Sequence, residues 1–268
     1  MLDSGIDLEH EDFKGRAEFG FDATAWYMGS AQPQLQDRKH GTHVASVAAG
    51  AKFGVAKKAK VIDVKVIRMP QKLGYSNEGQ ALINGLNWAV SDIIRKSRVG
   101  YAVINLSLQQ YEGPHLAFTC GALSHMIDSA LRRGIHVVIS AGNWNVDAAK
   151  SCPGNTKEAI TVGAVDEDNR RWTHPSGGGS NWGSHVDIFA PAKNIKGARA
   201  LSESGSAVFT GTSFAAPHVS GVIACLIADE GPRHYDDMWK RLEALSQKKK
   251  VKDPKGGQNR LLYNGVNG

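Results

Sequence analysis

The sequence predicts an α/β domain built on a doubly wound, mainly parallel sheet with helices on both faces. Three observations predict it. Short apolar runs rich in β-branched residues recur along the chain, and they are nearly continuous rather than alternating with polar residues. Longer helical patterns separate them. The chain has 268 residues, 41% of them apolar, which is enough to bury one substantial core. Strands apolar on both faces and separated by helices imply a parallel sheet covered on both sides. Ligands of such sheets gather at the carboxyl ends of the strands. No internal repeat and no long linker appears, so residues 1–268 read as one domain.

The expected strands are VIDVKVI (61–67), YAVINLSL (101–108), IHVVISAG (135–142) and AITVGAV (159–165), with VDIFAP (186–191) a weaker one. Helical patterns cover 77–96 and 121–133, and apolar helices follow His40 and Ser213. The Gly-rich piece SGGGSNWG (176–183) reads as a surface turn.

A net charge of +6 is mildly basic, and much of the excess lies in Lys248, Lys249, Lys250, Lys252 and Lys255. No aromatic residues interleave with that run for base stacking, so it reads as a solvated loop after a helix and no nucleic-acid partner is expected. No apolar run approaches the ~20 residues that cross a bilayer, so no membrane partner is expected either. The start, MLDSGIDLEHEDFKG, has neither a basic opening nor an apolar stretch and does not read as a signal peptide. Cys120, Cys152 and Cys225 are odd in number, so at most one internal disulfide forms and one thiol is left over. Cys225, inside VIACLIA, reads as a buried inert thiol.

Three segments carry candidate chemistry. MLDSGID places Asp3 after what reads as a strand end; HGTHVASVAAG places His40 at the start of a small-residue helix; GTSFAAPHVSG places Ser213 at the start of another. All three would meet at one edge of the sheet. A serine hydroxyl is a weak nucleophile that needs a base within hydrogen-bond reach, and that base needs a third group to fix its tautomer. SAGN (140–143) ends a strand with Asn143, whose amide could donate to a developing oxyanion. Each piece has a plainer alternative. Ser213 could be an N-cap, with Pro217 tolerated in the first turn. Asp3-Ser4-Gly5 is an ordinary turn signal. His40 and His43 could be zinc ligands, although no third ligand cluster lies nearby. Asn143 could cap a loop.

Joined in order, DSGID, HGTHVAS, VINLSL, SAGN and GTSFAAPHVSG resemble the subtilisin-like serine peptidases of the proteinase K-like, fungal type. The order Asp, His, Ser is the one subtilisin uses. The resemblance runs from Asp3 to NRLLYNG (259–265), which is similar to the family's closing strand. It implies a serine endopeptidase, with Ser213 as nucleophile, His40 as general base and acid, Asp3 as its orienting partner and Asn143 as oxyanion donor. His43 would be a structural member of its helix. Ser107, Leu108 and Gln109, with Ser140, Ala141 and Gly142, would line a cleft where a peptide or protein substrate adds as a strand. Asn105-Leu106-Ser107 matches a glycosylation sequon but falls in a buried strand, so no glycan is expected. The resemblance also implies a monomer, secreted or vacuolar, needing no cofactor for the chemistry. The competing function is a non-catalytic relative that keeps the fold as a binding module.

The sequence departs from the family pattern at several places. Gln109 and Gln110 stand where two glycines usually follow the SL, which is expected to alter residue preferences two to four positions upstream of the cut. Ser140 replaces a common alanine, and Ile160 stands where some fungal relatives have a cysteine. Asp187 resembles a carboxylate that binds a cation in several relatives; no calcium or other metal site is assigned from it. Only Met1 and Leu2 precede Asp3, so the strand carrying Asp3 is expected to be cut short, without the family's propeptide.

Overall fold

Along His136–Ser140 every residue is buried; Val137 and Ile139 join one apolar cluster while Val138 joins another. A strand apolar on both faces needs cover on both, and this one has it. The computed structural model describes residues 1–25, 38–68, 75–111 and 117–265. Its elements run β1 (Leu2–Asp3), β2 (Ala17–Asp22), α1 (Lys39–Ala49), β3 (Val61–Lys65), α2 (Tyr75–Arg95), β4 (Val103–Leu106), β5 (Gln110–Tyr111), α3 (Ala117–Arg132) and β6 (His136–Ser140). There follow β7 (Ser151–Cys152), β8 (Ile160–Val165), β9 (Ile188–Pro191), β10 (Ile195–Ala198), β11 (Ser206–Phe209), α4 (Thr212–Glu230), α5 (Tyr235–Leu245), β12 (Gln247–Lys248) and β13 (Arg260–Leu261).

Among the described residues the main sheet has nine strands in the order β12-β13-β9-β8-β6-β4-β1-β3-β2. Every pair in it is parallel except β12 with β13. The chain winds one way from β1 to β3 and the other way from β4 onward, so the switch point of the sheet lies at β1 and β4. Open α/β sheets bind ligands outside the carboxyl ends of their strands at such a point. Two-residue β1 is central: Leu2 pairs with Val64 on one side and Leu106 on the other.

The five strands expected from the sequence are present with trimmed ends. α2 and α3 share one apolar cluster with Leu2, Val64 and Leu106, and α4 and α5 share another with Val138, Ile160 and Ile188. α4 is 19 residues long with a mean hydropathy of 1.3, longer and more apolar than the sequence reading allowed, and 61% of its apolar window is buried within this fold.

Three local readings need correction. In 176–183 only the first half is a surface turn: Ser180 and Asn181 are fully buried, because the segment pairs with Trp144 and Asp147. The lysine run is exposed but not all loop, since Gln247–Lys248 pairs antiparallel with β13 as the sheet's edge. Cys225 is only half-buried; burial raises its thiol pKa, which keeps it protonated and unreactive. Cys120 and Cys152 form the disulfide, tying α3 to β7.

Candidate active site

Asp3 ends β1, and its carboxylate is buried. Its Oδ1 lies 2.7 Å from His40 Nδ1 and also accepts the Ser4 N–H at 2.7 Å. The approach depends on Gly41: a Cβ there would fall 2.4 Å from the Gly5 carbonyl and 3.1 Å from Asp3 Oδ1. Only glycine lets α1 dock this close. His40 is the second residue of α1, and its side chain keeps 19% of its exposure. Burial pulls the imidazole pKa down, but the Asp3 charge and hydrogen bond outweigh it and leave the pKa above the ordinary histidine value.

His43, one turn on, is fully buried, with Nε2 3.3 Å from the Ala207 carbonyl. Burial pushes its pKa down to about 4, so it stays neutral and packs edge-on against Phe209 and Phe214. Among the described residues no group of three His, Cys, Asp or Glu side chains could hold a metal, and His43 turns toward the β10–β11 hairpin rather than toward a site shared with His40.

Ser213 is not a helix cap. Gly211 holds the N-cap position, Thr212 opens α4, and the Ser213 hydroxyl donates instead to the Ser107 carbonyl at 3.0 Å. Pro217 lies in the second turn, not the first. It has no N–H to give the carbonyl four residues back, which is that of Ser213. The Ser107 hydroxyl fills the vacancy, donating to Ser213 O at 2.8 Å. The proline thus frees one carbonyl, and the freed carbonyl locks the end of β4 against the first turn of α4.

Asn143 follows β6 and is exposed at the same edge. Its Oδ1 accepts from both the Thr212 N–H at 2.8 Å and the Thr212 hydroxyl at 2.9 Å. With the oxygen so held, the Nδ2 donor faces away from Thr212. Thr212 Oγ1 also accepts the Gly142 N–H at 3.1 Å, where Gly142 has φ +102°. Ser107, Ser140, Ala141 and Gly142 are buried, whereas Leu108 and Gln109 are half-buried. Gln109 donates to the Ser140 carbonyl and accepts the Gly154 N–H at 3.3 Å. Asn105 is buried and donates to Ser107 Oγ at 2.9 Å, so the sequon is internal.

Two supporting residues escaped the sequence reading. Thr212 sits inside the GTS block, yet nothing in a threonine's identity announces that it orients the neighbouring asparagine. Asn181 lies in the supposed surface turn. Its Oδ1 accepts the Trp144 and Val146 N–H groups at 3.1 and 3.2 Å, and its Nδ2 donates to the Ala141 carbonyl at 2.9 Å and to Ser151 Oγ at 2.5 Å. The carboxamide therefore holds both sides of Asn143. The polar pair Ser180-Asn181 between three glycines and Trp182 was the available signal.

Asp187 is half-buried just before β9, and its Oδ2 accepts the Thr161 N–H at 2.9 Å. Burial raises its carboxyl pKa to about 7, against the opposing pull of that hydrogen bond and of Arg260.

The sequence pattern of the Subtilase family matches residues 1–262. The chain is 36% identical over 265 residues to alkaline protease 1 of Aspergillus flavus, a match that covers 99% of this chain and 60% of that protein. It is 37% identical over 265 residues to subtilisin-like protease 1 of Pseudogymnoascus destructans, with the same coverage of 99% and 60%. The chain thus spans about 60% of the length of the curated relatives it matches. Among solved structures it is similar to a cold-adapted subtilisin-like serine proteinase, with a TM-score of 0.82 at 29% identity, over 99% of this chain and 88% of that one. The family pattern, the relatives and the fold agree, and the chain belongs to the subtilase family.

Proposed function

We propose that residues 1–268 form a single catalytic domain of a serine endopeptidase that hydrolyses peptide bonds through an acyl-enzyme. One observation carries the reading: the buried Asp3 carboxylate sits 2.7 Å from His40 Nδ1, at the end of the sheet where Ser213 lies in the first turn of α4. A carboxylate so placed fixes the tautomer in which Nε2 is the free base. In the reaction the Ser213 hydroxyl leaves the Ser107 carbonyl, gives its proton to His40 Nε2, and its oxygen bonds to the scissile carbonyl carbon. Asn143 Nδ2 and the Ser213 N–H, free at a helix start, receive the oxyanion. As the tetrahedral species collapses, the C–N bond breaks and the amine leaves with the proton from His40. Water, deprotonated by the same imidazole, then releases the acid and restores Ser213.

No cofactor is needed for these steps. Peptides or proteins are the substrates, the chain acts as a monomer, and its setting is secreted or vacuolar. The Cys120–Cys152 disulfide supports an oxidising compartment. A fluorophosphonate probe tests the proposal. The chain should be labelled at Ser213 and Ser213→Ala should abolish both labelling and peptidase activity. Labelling that survives the substitution would overturn the assignment, and a folded chain that never labels would favour the binding-module reading.

A further inference from the structure

β4 and β6 run side by side in parallel register as far as Leu106 opposite Ile139. Beyond that pair they part. Ser107 turns toward α4, exchanging hydrogen bonds with Ser213, while Ser140 pairs with Val162 of β8. The parting makes 107–109 and 140–142 the two walls of a slot, the first of them bonded through the Ser107 carbonyl to the Ser213 hydroxyl. Its third wall is the segment after β7, because β5 and β7 pair antiparallel, Gln110 opposite Cys152 and Tyr111 opposite Ser151. Cys152 is fixed in turn by its bond to Cys120.

The Gln109 side chain does not point to solvent. Its carboxamide donates to the Ser140 carbonyl on the second wall and accepts from the Gly154 N–H on the third. A Cβ added at Gly154 would lie 3.0 Å from Gln109 Nε2 and 3.1 Å from Oε1, so the amide rests directly on that wall. One side chain therefore bridges all three sides of the slot. Gln110 takes part instead through its backbone pairing in β5. The sequence reading sets both glutamines two to four positions upstream of the cut; the reach of Gln109 to 140 and 154 points to the position next to the cut instead.

We infer that Gln109 is a specificity-determining bar that restricts the residue immediately before the scissile bond to small side chains, glycine, alanine or serine. The inference rests on the proposed peptidase reading. A substrate strand lying along 107–109 with its carbonyl at Ser213 sends that residue's side chain into the slot. A large side chain could enter only by displacing an amide hydrogen-bonded at both ends, leaving the buried Ser140 carbonyl and Gly154 N–H without that partner.

The test is a peptide series differing only in the residue before the cut, run beside fluorophosphonate labelling of the same samples. The wild type should show kcat/KM for alanine above that for phenylalanine by ~10–200-fold, the discrimination a misfitting pocket provides. Gln109→Gly and Gln109→Ala should each shift the phenylalanine-to-alanine ratio upward by roughly tenfold or more. Gln110→Gly should leave that ratio where it was. Labelling of Ser213 together with equal cleavage after phenylalanine and alanine by the wild type would overturn the bar while leaving the peptidase reading intact. So would a ratio unmoved in both Gln109 variants. No labelling at all would remove both.

Discussion

Asp3 and His40, 37 residues apart in sequence, meet at 2.7 Å because β1 and α1 converge on Gly41, a position where a side chain would push them apart. The pair raises the His40 pKa above its ordinary 6.5, the Asp3 charge and hydrogen bond overcoming the downward pull of burial. A general base works only when neutral. The acid limb of the kcat/KM profile should therefore have its midpoint above pH 6.5. In Asp3→Asn that midpoint should fall below the wild-type value, and activity should drop by roughly 10⁴-fold, as when the orienting carboxylate of a triad is neutralised. A midpoint unchanged by the substitution would show that another group sets it. Stability carries the opposite sign. A histidine with a raised folded pKa stabilises most below its unfolded pKa of 6.5, and the gain is lost as pH rises through the folded value.

Asn143 and Thr212 should separate in their effects. Asn143→Ala removes the proposed oxyanion donor and should lower kcat by ~10²–10³-fold. Thr212→Val keeps the backbone N–H that holds Asn143 Oδ1 but removes the hydroxyl that holds it a second time and receives the Gly142 N–H. It should lower kcat by a smaller factor with little change in KM, which steady-state kinetics on one peptide can resolve. Equal kcat for wild type and Asn143→Ala would remove the oxyanion role.

What was legible in the sequence follows from what each element needs. Strands such as Ile160–Val165 are buried on both faces, so they are written as apolar runs that stand out. β2, AEFGFD, has an exposed outer edge and mixes charge with glycine; α5 buries only Met238 and Leu242 of its eleven residues, too thin an apolar stripe to be read as a helix. The β10–β11 hairpin is largely solvent-facing and was likewise unread. Asp3, His40 and Ser213 were legible only through the ordered blocks DSGID, HGTHVAS and GTSFAAPHVSG and their resemblance to a family, since each alone is an ordinary turn or helix start. Gln109, Asn181 and Thr212 act through where their amides and hydroxyl reach across the fold, and side-chain reach is not a property of local sequence.

Breaking the Cys120–Cys152 bond should affect both stability and the slot. The bridge closes a 32-residue separation, worth about 3–4 kcal/mol by the chain-entropy estimate. The Cys120→Ala, Cys152→Ala double variant should unfold at lower denaturant than the oxidised wild type. β7 forms the wall on which β5 pairs, so the variant's preference for small residues before the cut should also relax. A lowered midpoint with an unchanged cleavage profile would show that β5 and β7 hold the wall without the bridge.

At Asp187 burial raises the carboxyl pKa from 3.8 to about 7. The folded state then binds the proton more tightly than the unfolded chain, so this group favours folding below pH 3.8, and the advantage is lost as pH rises to 7. Above pH 7 the wild type carries a poorly compensated carboxylate. Asp187→Asn keeps an oxygen for the Thr161 N–H and removes the charge, so its Tm at pH 8–9 should exceed the wild type's by roughly 2–5 °C. The gap should close toward pH 4. A wild type more stable than the variant at pH 8 would show that the charged Asp187 carboxylate is well compensated in the folded state.

The acid side of the stability profile should be governed in part by His136, the first residue of β6. It is fully buried, with no well-formed hydrogen bond at either ring nitrogen and only the backbone of Gly100 near enough to oppose the effect of burial. Burial lowers its pKa from 6.5 to about 4. Between those values the unfolded chain binds a proton that the folded state refuses, so stability is complete above pH 6.5 and declines as pH falls toward 4. A shift of that size corresponds to about 3–4 kcal/mol across the window, since each pH unit is worth ~1.4 kcal/mol. His43, depressed to the same value, adds to the decline, but it packs beside the proposed catalytic elements and is a poor place to test the effect. His136→Leu fills the same apolar space without a titrating ring. Its Tm should fall less than the wild type's between pH 7 and pH 4. Parallel Tm curves for the two proteins over that range would show that His136 gains a partner on protonation and that the acid sensitivity lies elsewhere.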